Sequence, residues 1–318
     1  MAVYAVIARA DKNLGGGLPE LRQVLGDAGV SELIWREVPA GSDVAASVRE
    51  VVDAGAELLF VWGGDGTVQR CIDCVAGSDV AIAILPAGGG NLLARDMEVP
   101  LDVQGAVEVA LYGDRRRIDT VVTDGEHFAI VAGAGLSSMM MRDHHKKGIV
   151  RRVERASRLL IGAIKLRVKP VHCRIDVDGQ SVYDGDMTCV LVSNVRRAVD
   201  GISEFENARD DDGIVEVGVV GRRQIGEWLS SCRRVLWGRA EPDPFLVTTA
   251  GSQIQLRFDR AVAFELDGSP KGLVTHAELE VRPRSVSVCV PARSQPSTRA
   301  MQIRQIAPDA ASSSSPRG

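Results

Sequence analysis

The pattern of apolar and polar positions changes near residue 120. Before it, apolar runs at residues 3–8, 34–38, 58–62 and 80–85 alternate with stretches of helical periodicity at residues 18–28, 44–54, 68–75, 92–95 and 101–111. Short apolar runs bounded by glycine mark strands buried on both faces of a parallel sheet. With helices between them, they predict a doubly wound α/β domain over residues 1–119. Beyond residue 120 come short runs at 128–132, 173–177, 188–193, 215–220, 254–258, 261–266, 277–281 and 286–290, separated by Gly and Asp turns. Many short strands of this kind predict a β-sandwich, which makes residues 120–290 a second domain. Residues 291–318 contain Ser, Pro and Arg, with four serines in a row at 312–315, and are expected to form a disordered tail.

Candidate chemistry concentrates where two of the buried strands end. The run 58–62 passes into Gly63, Gly64, Asp65, Gly66 and Thr67, and the run 80–85 into Pro86, Ala87, Gly88, Gly89, Gly90 and Asn91. Glycines let backbone approach a ligand where a Cβ would obstruct it, and free N–H groups at a following helix start receive phosphate oxygens. Two such units in succession place adjacent phosphate-facing loops at the carboxyl edge of one sheet. Asp65 would repel a phosphate unless a cation intervened, so it points to Mg²⁺ or to proton acceptance during phosphoryl transfer. The other reading of the first loop is an ordinary strand–turn–helix junction with Asp65 near the cap.

These two loops, with Leu92, Leu93, Ala94 and Arg95 after the second, resemble the diacylglycerol kinase catalytic-domain family, which includes sphingosine and ceramide kinases and bacterial lipid kinases. The resemblance extends to about residue 290. It implies an ATP-binding α/β domain, a β-sandwich second domain and a lipid site near the cleft between them. It aligns Asp119 with an aspartate of a carboxylate–water network near the magnesium nucleotide; an edge-strand charge is the alternative. It matches the Asp210-Asp211-Asp212-Gly213 turn to a structural magnesium site, with Asp211 and Asp212 as ligands; a solvated acidic turn is the alternative. It matches Asp267-Gly268 to a late motif whose aspartate lies at the magnesium–substrate site, and Lys12 to a basic nucleotide-contacting loop, although a surface loop also fits residues 9–17. The chain departs from the family by lacking an Asn-Pro in that loop, by Gly89 in place of threonine and by Ser269 in place of glutamate. Asp-Gly occurs seven times in all, so most copies are turns.

Composition narrows the picture only slightly. Apolar content of 45% and charged content of 25% describe a globular protein, and a net charge of −4 gives no overall pull toward nucleic acid. No apolar stretch reaches the length of a membrane span, and residues 1–10 do not resemble a signal peptide, so a cytoplasmic location is expected. Cys71 and Cys74 lack the further ligands of a zinc set and read as small buried residues. The exception to the even charge is residues 144–169, where nine Lys or Arg face the single acid Glu154 on an amphipathic pattern. That segment is expected either to lie on an anionic membrane surface or to pack as a helix with a solvated face.

The expected activity is therefore transfer of the γ-phosphoryl group of ATP, with Mg²⁺, to a lipid alcohol such as a diacylglycerol or long-chain base. Gly63, Gly64, Gly66, Thr67, Gly88, Gly89, Gly90, Asn91 and Lys12 would hold the nucleotide. Asp65, then Asp267, are the candidates for handling the proton or the metal. The rivals are a soluble kinase of the NAD kinase type, which shares the first loop, and a nucleotide-binding protein at the membrane surface that has lost catalysis. A lipid alcohol substrate, an anionic membrane surface and a second copy of the chain are the expected partners.

Overall fold

The computed structural model describes residues 3–30, 32–135, 171–196, 205, 207–221 and 246–292. The basic segment 144–169 and residues 293–318 of the expected tail lie outside them. Strands β1 (Tyr4–Arg9), β2 (Leu33–Val38), β3 (Leu58–Gly63) and β4 (Ala81–Pro86) pair in parallel in the order β4-β3-β1-β2. Helices α1 (Gly17–Asp27), α2 (Ala45–Asp53), α3 (Asp65–Val75), α4 (Leu92–Asp96) and α5 (Val103–Tyr112) connect or follow them. Every residue of β3 and β4 is buried, as two-sided coverage of a parallel sheet requires. Helix α1 packs against α5, and α2 against α3. Cys71 of α3 is fully buried, Cys74 partly, and burial pushes both thiols up. Among the described residues no helix is long and apolar enough to cross a membrane.

The β-sandwich follows: β5 (Asp114–Thr123), β6 (Glu126–Phe128), β7 (Val131–Gly135), β8 (Val171–Val177), β9 (Gln180–Ser193), β10 (Val215–Gly221), β11 (Leu246–Gly251), β12 (Gln253–Leu266) and β13 (Ser269–Val290). Three of its hairpins turn on an Asp-Gly pair with positive φ at both residues: Asp124 and Gly125, Asp178 and Gly179, and Asp267 and Gly268. That is the type I′ geometry whose twist matches paired strands. The expected strands at 254–258 and 261–266 are one strand, β12, and those at 277–281 and 286–290 are one strand, β13. The polar residues between them are irregularities of register, at Arg257/Val262 and Arg282/Val286, that bend a strand without ending it.

β13 joins the two halves. Its first part pairs with β12, its last part pairs antiparallel with β5, and Ser287 and Val288 pair in parallel with Ala81 and Ile82 of β4. Val286, Val288, Cys289 and Val290 thereby complete the same buried cluster as β1, β3 and β4, while Val281, Leu279 and Ala277 lie in the sandwich core. The α/β sheet thus takes its last strand from β13, about 200 residues beyond β4 in the sequence. A chain ending at residue 119 lacks that strand and leaves the β4 edge uncovered. It should show no cooperative thermal transition by circular dichroism, whereas residues 1–292 should; a cooperative transition in the shorter chain would contradict this dependence.

Candidate active site

The two glycine loops touch each other. β3 ends at Gly63, Gly64 caps α3 in an extended conformation, and α3 starts at Asp65. A Cβ on Gly88 would collide with the Cα of Gly64, and one on Gly63 would lie 2.5 Å from Thr67 Cβ. The second loop is folded by Asn91, which sits at φ 51°. Its Oδ1 accepts from Gly88 N at 3.0 Å, and its Nδ2 donates to Pro86 O and Gly88 O, both at 2.9 Å. Asp65 then ties loop to loop: Oδ2 accepts from Asn91 N at 2.9 Å and Oδ1 from Leu92 N at 2.6 Å. A carboxylate at the start of α4 satisfies two N–H groups that the helix leaves open.

Around this junction lies a cleft of about 430 Å³. Residues 64–67 and 88–90 form one wall, Arg9 comes from the end of β1 and Lys12 from the loop after it, and Asp267, Ser269 and Pro270 come from the β12–β13 turn and the start of β13. Lys12 is held from below, because the buried indole of Trp62 donates to Lys12 O at 3.2 Å. A second cleft of about 420 Å³ shares Lys12, Gly88 and Gly89 and adds Asn91, Arg95, Leu14 and Leu101. Three residues give the first cleft features beyond those expected from sequence: Arg70, Ser42 and Asp43. Arg70 pairs with Asp43 at 3.1 Å, Asp73 at 3.3 Å and Glu126 at 3.1 Å, and Glu126 also pairs with Lys271. The available signal was its position three residues after Thr67 on α3, which puts both on one helix face. Nothing in the sequence pointed to residues 42 and 43.

Asp267 combines a turn with burial. It is 2% exposed, and its carboxylate accepts from Ala129 N at 3.1 Å (Oδ2), Ile130 N at 3.0 Å and Val131 N at 2.8 Å (both Oδ1). Burial raises its pKa from 3.8 to about 7; the three N–H donors pull the other way, and the charge of Asp65 adds a smaller upward push. Asp65 and Asp267 thus line one cleft, each with both oxygens on backbone donors, and burial pushes Asp267 up to about 7.

Asp119, Asp211 and Asp212 are brought near one another but away from the glycine loops. Asp119 is fully buried, with Oδ1 accepting from Arg284 N at 2.7 Å and Oδ2 from Gly213 N at 2.6 Å. It thus stitches β5 to the irregularity in β13 and to the acidic turn. Asp211 pairs with Arg209 at 3.3 Å, Asp212 accepts from Ile214 N at 3.3 Å, and buried Asp210 pairs with Arg116. Among the described residues no three His, Cys, Asp or Glu form a ready metal set.

Residues 11–123 match the diacylglycerol kinase catalytic domain, and residues 131–290 match the YegS C-terminal NAD kinase beta sandwich-like domain. The chain belongs to the diacylglycerol kinase catalytic-domain family, phosphotransferases with an alcohol group as acceptor. It is 25% identical over 267 residues to a Klebsiella pneumoniae (strain 342) protein named probable lipid kinase YegS-like, covering 80% of this chain and 86% of that one. It is 22% identical over 240 residues to the diacylglycerol kinase of Bacillus subtilis (strain 168), covering 73% and 77%. Two solved structures share the fold. A diacylglycerol kinase from Bacillus anthracis str. Sterne superposes with a TM-score of 0.67 at 19% identity, over 91% of this chain and 96% of that one. An NAD kinase from Archaeoglobus fulgidus in complex with ATP superposes with a TM-score of 0.52 at 10% identity, over 90% and 93%.

The contact between the loops yields a direct test. Gly88→Ala should force them apart and weaken ATP·Mg²⁺ binding by at least about tenfold in calorimetric titration, a loss comparable to one hydrogen bond to a charged group. The circular dichroism spectrum should stay native. Unchanged affinity would mean that the loop contact does not shape the binding site.

Proposed function

We propose that the protein is an ATP-dependent lipid kinase in which Asp267 accepts the proton of a lipid hydroxyl, such as that of a diacylglycerol or a long-chain base, while the glycine loops hold the nucleotide. The observation that carries the reading is Asp267: a buried carboxyl with a pKa near 7, facing the glycine cleft. A general base works best with a pKa close to the working pH. An ordinary surface carboxylate would be a much weaker base.

The cleft fits a triphosphate. Its wall is backbone at Gly64 and Gly88, where a Cβ would meet the facing loop; Lys12 and Arg9 stand at its edge beside Asp11, and Arg70 beside Asp43, Asp73 and Glu126, cations that would exchange these partners for phosphate oxygens. Mg²⁺ keeps several waters and is commonly held by one or two carboxylates plus phosphate oxygens, so it needs no three-residue set. When bound, ATP·Mg²⁺ supplies the transferable phosphoryl group and neutralises its charge. Asp65, with each oxygen on a backbone N–H of the second loop, is assigned to positioning that loop. Asp267 is assigned to orienting and deprotonating the acceptor hydroxyl. The sandwich wall at Ser269 and Pro270 is the side from which the acceptor would enter. Asp119 and the acidic turn, remote from the glycine loops, are assigned to holding β5, β13 and the turn together, with a structural cation at Asp211 and Asp212. The basic residues 144–169 are assigned to contact with an anionic membrane, where each cation contributes about 1 kcal/mol. That contact would place the protein at the cytoplasmic face.

Incubation with γ-labelled ATP and, in parallel, dioctanoylglycerol, sphingosine or NAD⁺ separates the readings. Label in a lipid product supports this one, label in NADP⁺ supports the NAD kinase type, and no transfer leaves a nucleotide-binding protein. The pH dependence has a definite sign. Asp267 acts when deprotonated, so kcat/KM should rise with pH through about 7 and level off above it. Asp267→Asn should lower kcat by roughly 10²–10⁴-fold and abolish that limb. A wild-type rate in the variant would remove Asp267 from the chemistry.

A further inference from the structure

Asn194, just beyond the end of β9, is fully buried and grips the same stretch of backbone as Asp267 from the opposite side. Its Nδ2 donates to Ala129 O at 3.0 Å and to Asp119 O at 2.9 Å, and its backbone N donates to Ile130 O at 2.9 Å. The orientation of the amide follows from those partners. Two carbonyls converge on one end, so only the nitrogen can occupy it, and Oδ1 has no hydrogen-bond partner among the described residues.

The connection with Asp267 runs through single peptide units. The carbonyl of Ala129 and the N–H of Ile130 belong to one peptide group; the carbonyl of Ile130 and the N–H of Val131 belong to the next. Both N–H groups donate to Asp267 Oδ1, at 3.0 and 2.8 Å. Both carbonyls are engaged by Asn194. A peptide group whose carbonyl accepts a hydrogen bond is polarised and becomes a better donor at its N–H, an effect strengthened in a low-dielectric interior. A third bond, from Asp267 N to Val131 O at 2.8 Å, closes the arrangement. The segment is also rigid: Ala129, Ile130 and Val131 are at most 1% exposed and lie in the α/β core cluster.

We infer that Asn194 is a positioning residue for phosphoryl transfer: its side-chain amide aims and polarises the Ala129–Ile130 peptide group, one of the two that hold Asp267 Oδ1, and so fixes where the carboxylate meets the acceptor hydroxyl. This rests on the reading of Asp267 as the base. It adds a component that touches neither nucleotide nor acceptor, since Asn194 is buried outside the cleft. It also explains why Nδ2 bonds Asp119 O as well: the second bond anchors the amide to β5, the strand that runs beside β13.

The test is a double-mutant cycle on the full chain with ATP and dioctanoylglycerol in mixed micelles, read together with amide proton shifts. Asn194→Ala should lower kcat by roughly fivefold, the size expected from one neutral hydrogen bond, with KM for ATP unchanged. The same substitution added to Asp267→Asn should cost nothing further, because the group it positions is already gone. In the free protein the amide proton of Ile130 should move upfield in Asn194→Ala, while that of Val131, whose peptide carbonyl keeps its bond from the backbone N of residue 194, and those of Gly64 and Gly66 stay in place. Should Asn194→Ala not give a dispersed amide spectrum, Asn194→Ser, which keeps one donor, is read in the same cycle and should fall between. An equal loss of kcat in both backgrounds, or an unmoved Ile130 shift, would overturn the inference. A wild-type rate in Asp267→Asn would instead overturn the reading of Asp267 and leave the shift result to judge Asn194 alone.

Discussion

Backbone-to-backbone contact between Gly64 and Gly88, locked by the carboxylate of Asp65, is the constraint on which the site depends. Neither loop alone makes a cleft. β3 and β4 are adjacent parallel strands paired from Leu58↔Ala81 to Gly63↔Pro86, so both loops leave the sheet at the same height. Glycine at 64 and 88 lets them meet, and Asp65 spends both oxygens on the N–H groups of Asn91 and Leu92. The result is a wall with little side-chain bulk, which lets phosphate oxygens come close to backbone.

The opposite wall comes from a strand that belongs to both halves of the molecule. β13 begins at Ser269, beside the cleft, and ends at Val290, within the α/β core. The turn preceding it carries Asp267, which is pinned to residues 129–131 at the junction of the two cores. Chemistry and architecture are therefore coupled. The bonds that hold Asp267 in place also tie the β12–β13 turn to the start of β7, and the burial that comes with this position pushes its pKa to about 7. The carboxyl is also a liability for stability. Its folded pKa lies above 3.8, so its contribution to folding is fully present below that value and is lost as pH rises through about 7.

Much of this was legible in the sequence, for identifiable reasons. Continuous apolar runs ending in glycine locate β3 and β4, and the residues of both loops fall where their spacing predicts. Asp-Gly pairs at 124 and 178 form the hairpins their composition implies. The same dipeptide at 267 forms the same turn, and no local pattern distinguishes it; its burial depends on Ala129, Ile130 and Val131, more than 130 residues away in the chain. The merging of four expected strands into β12 and β13 was hidden because a bulge and a turn use similar polar residues. The resemblance places Asp119 in a carboxylate–water network near magnesium; that its two oxygens also take backbone donors from Gly213 and Arg284 is a pairing that no spacing could reveal.

The central claim is that Asp65 builds the nucleotide site by joining the two loops. Calorimetric titration of Asp65→Ala with ATP·Mg²⁺ tests it most directly, with the fold monitored by circular dichroism. Removing a charged acceptor from two backbone N–H groups should free α4 from the first loop and weaken binding by at least roughly tenfold, with a native spectrum. A dissociation constant equal to that of the unaltered protein would contradict the account.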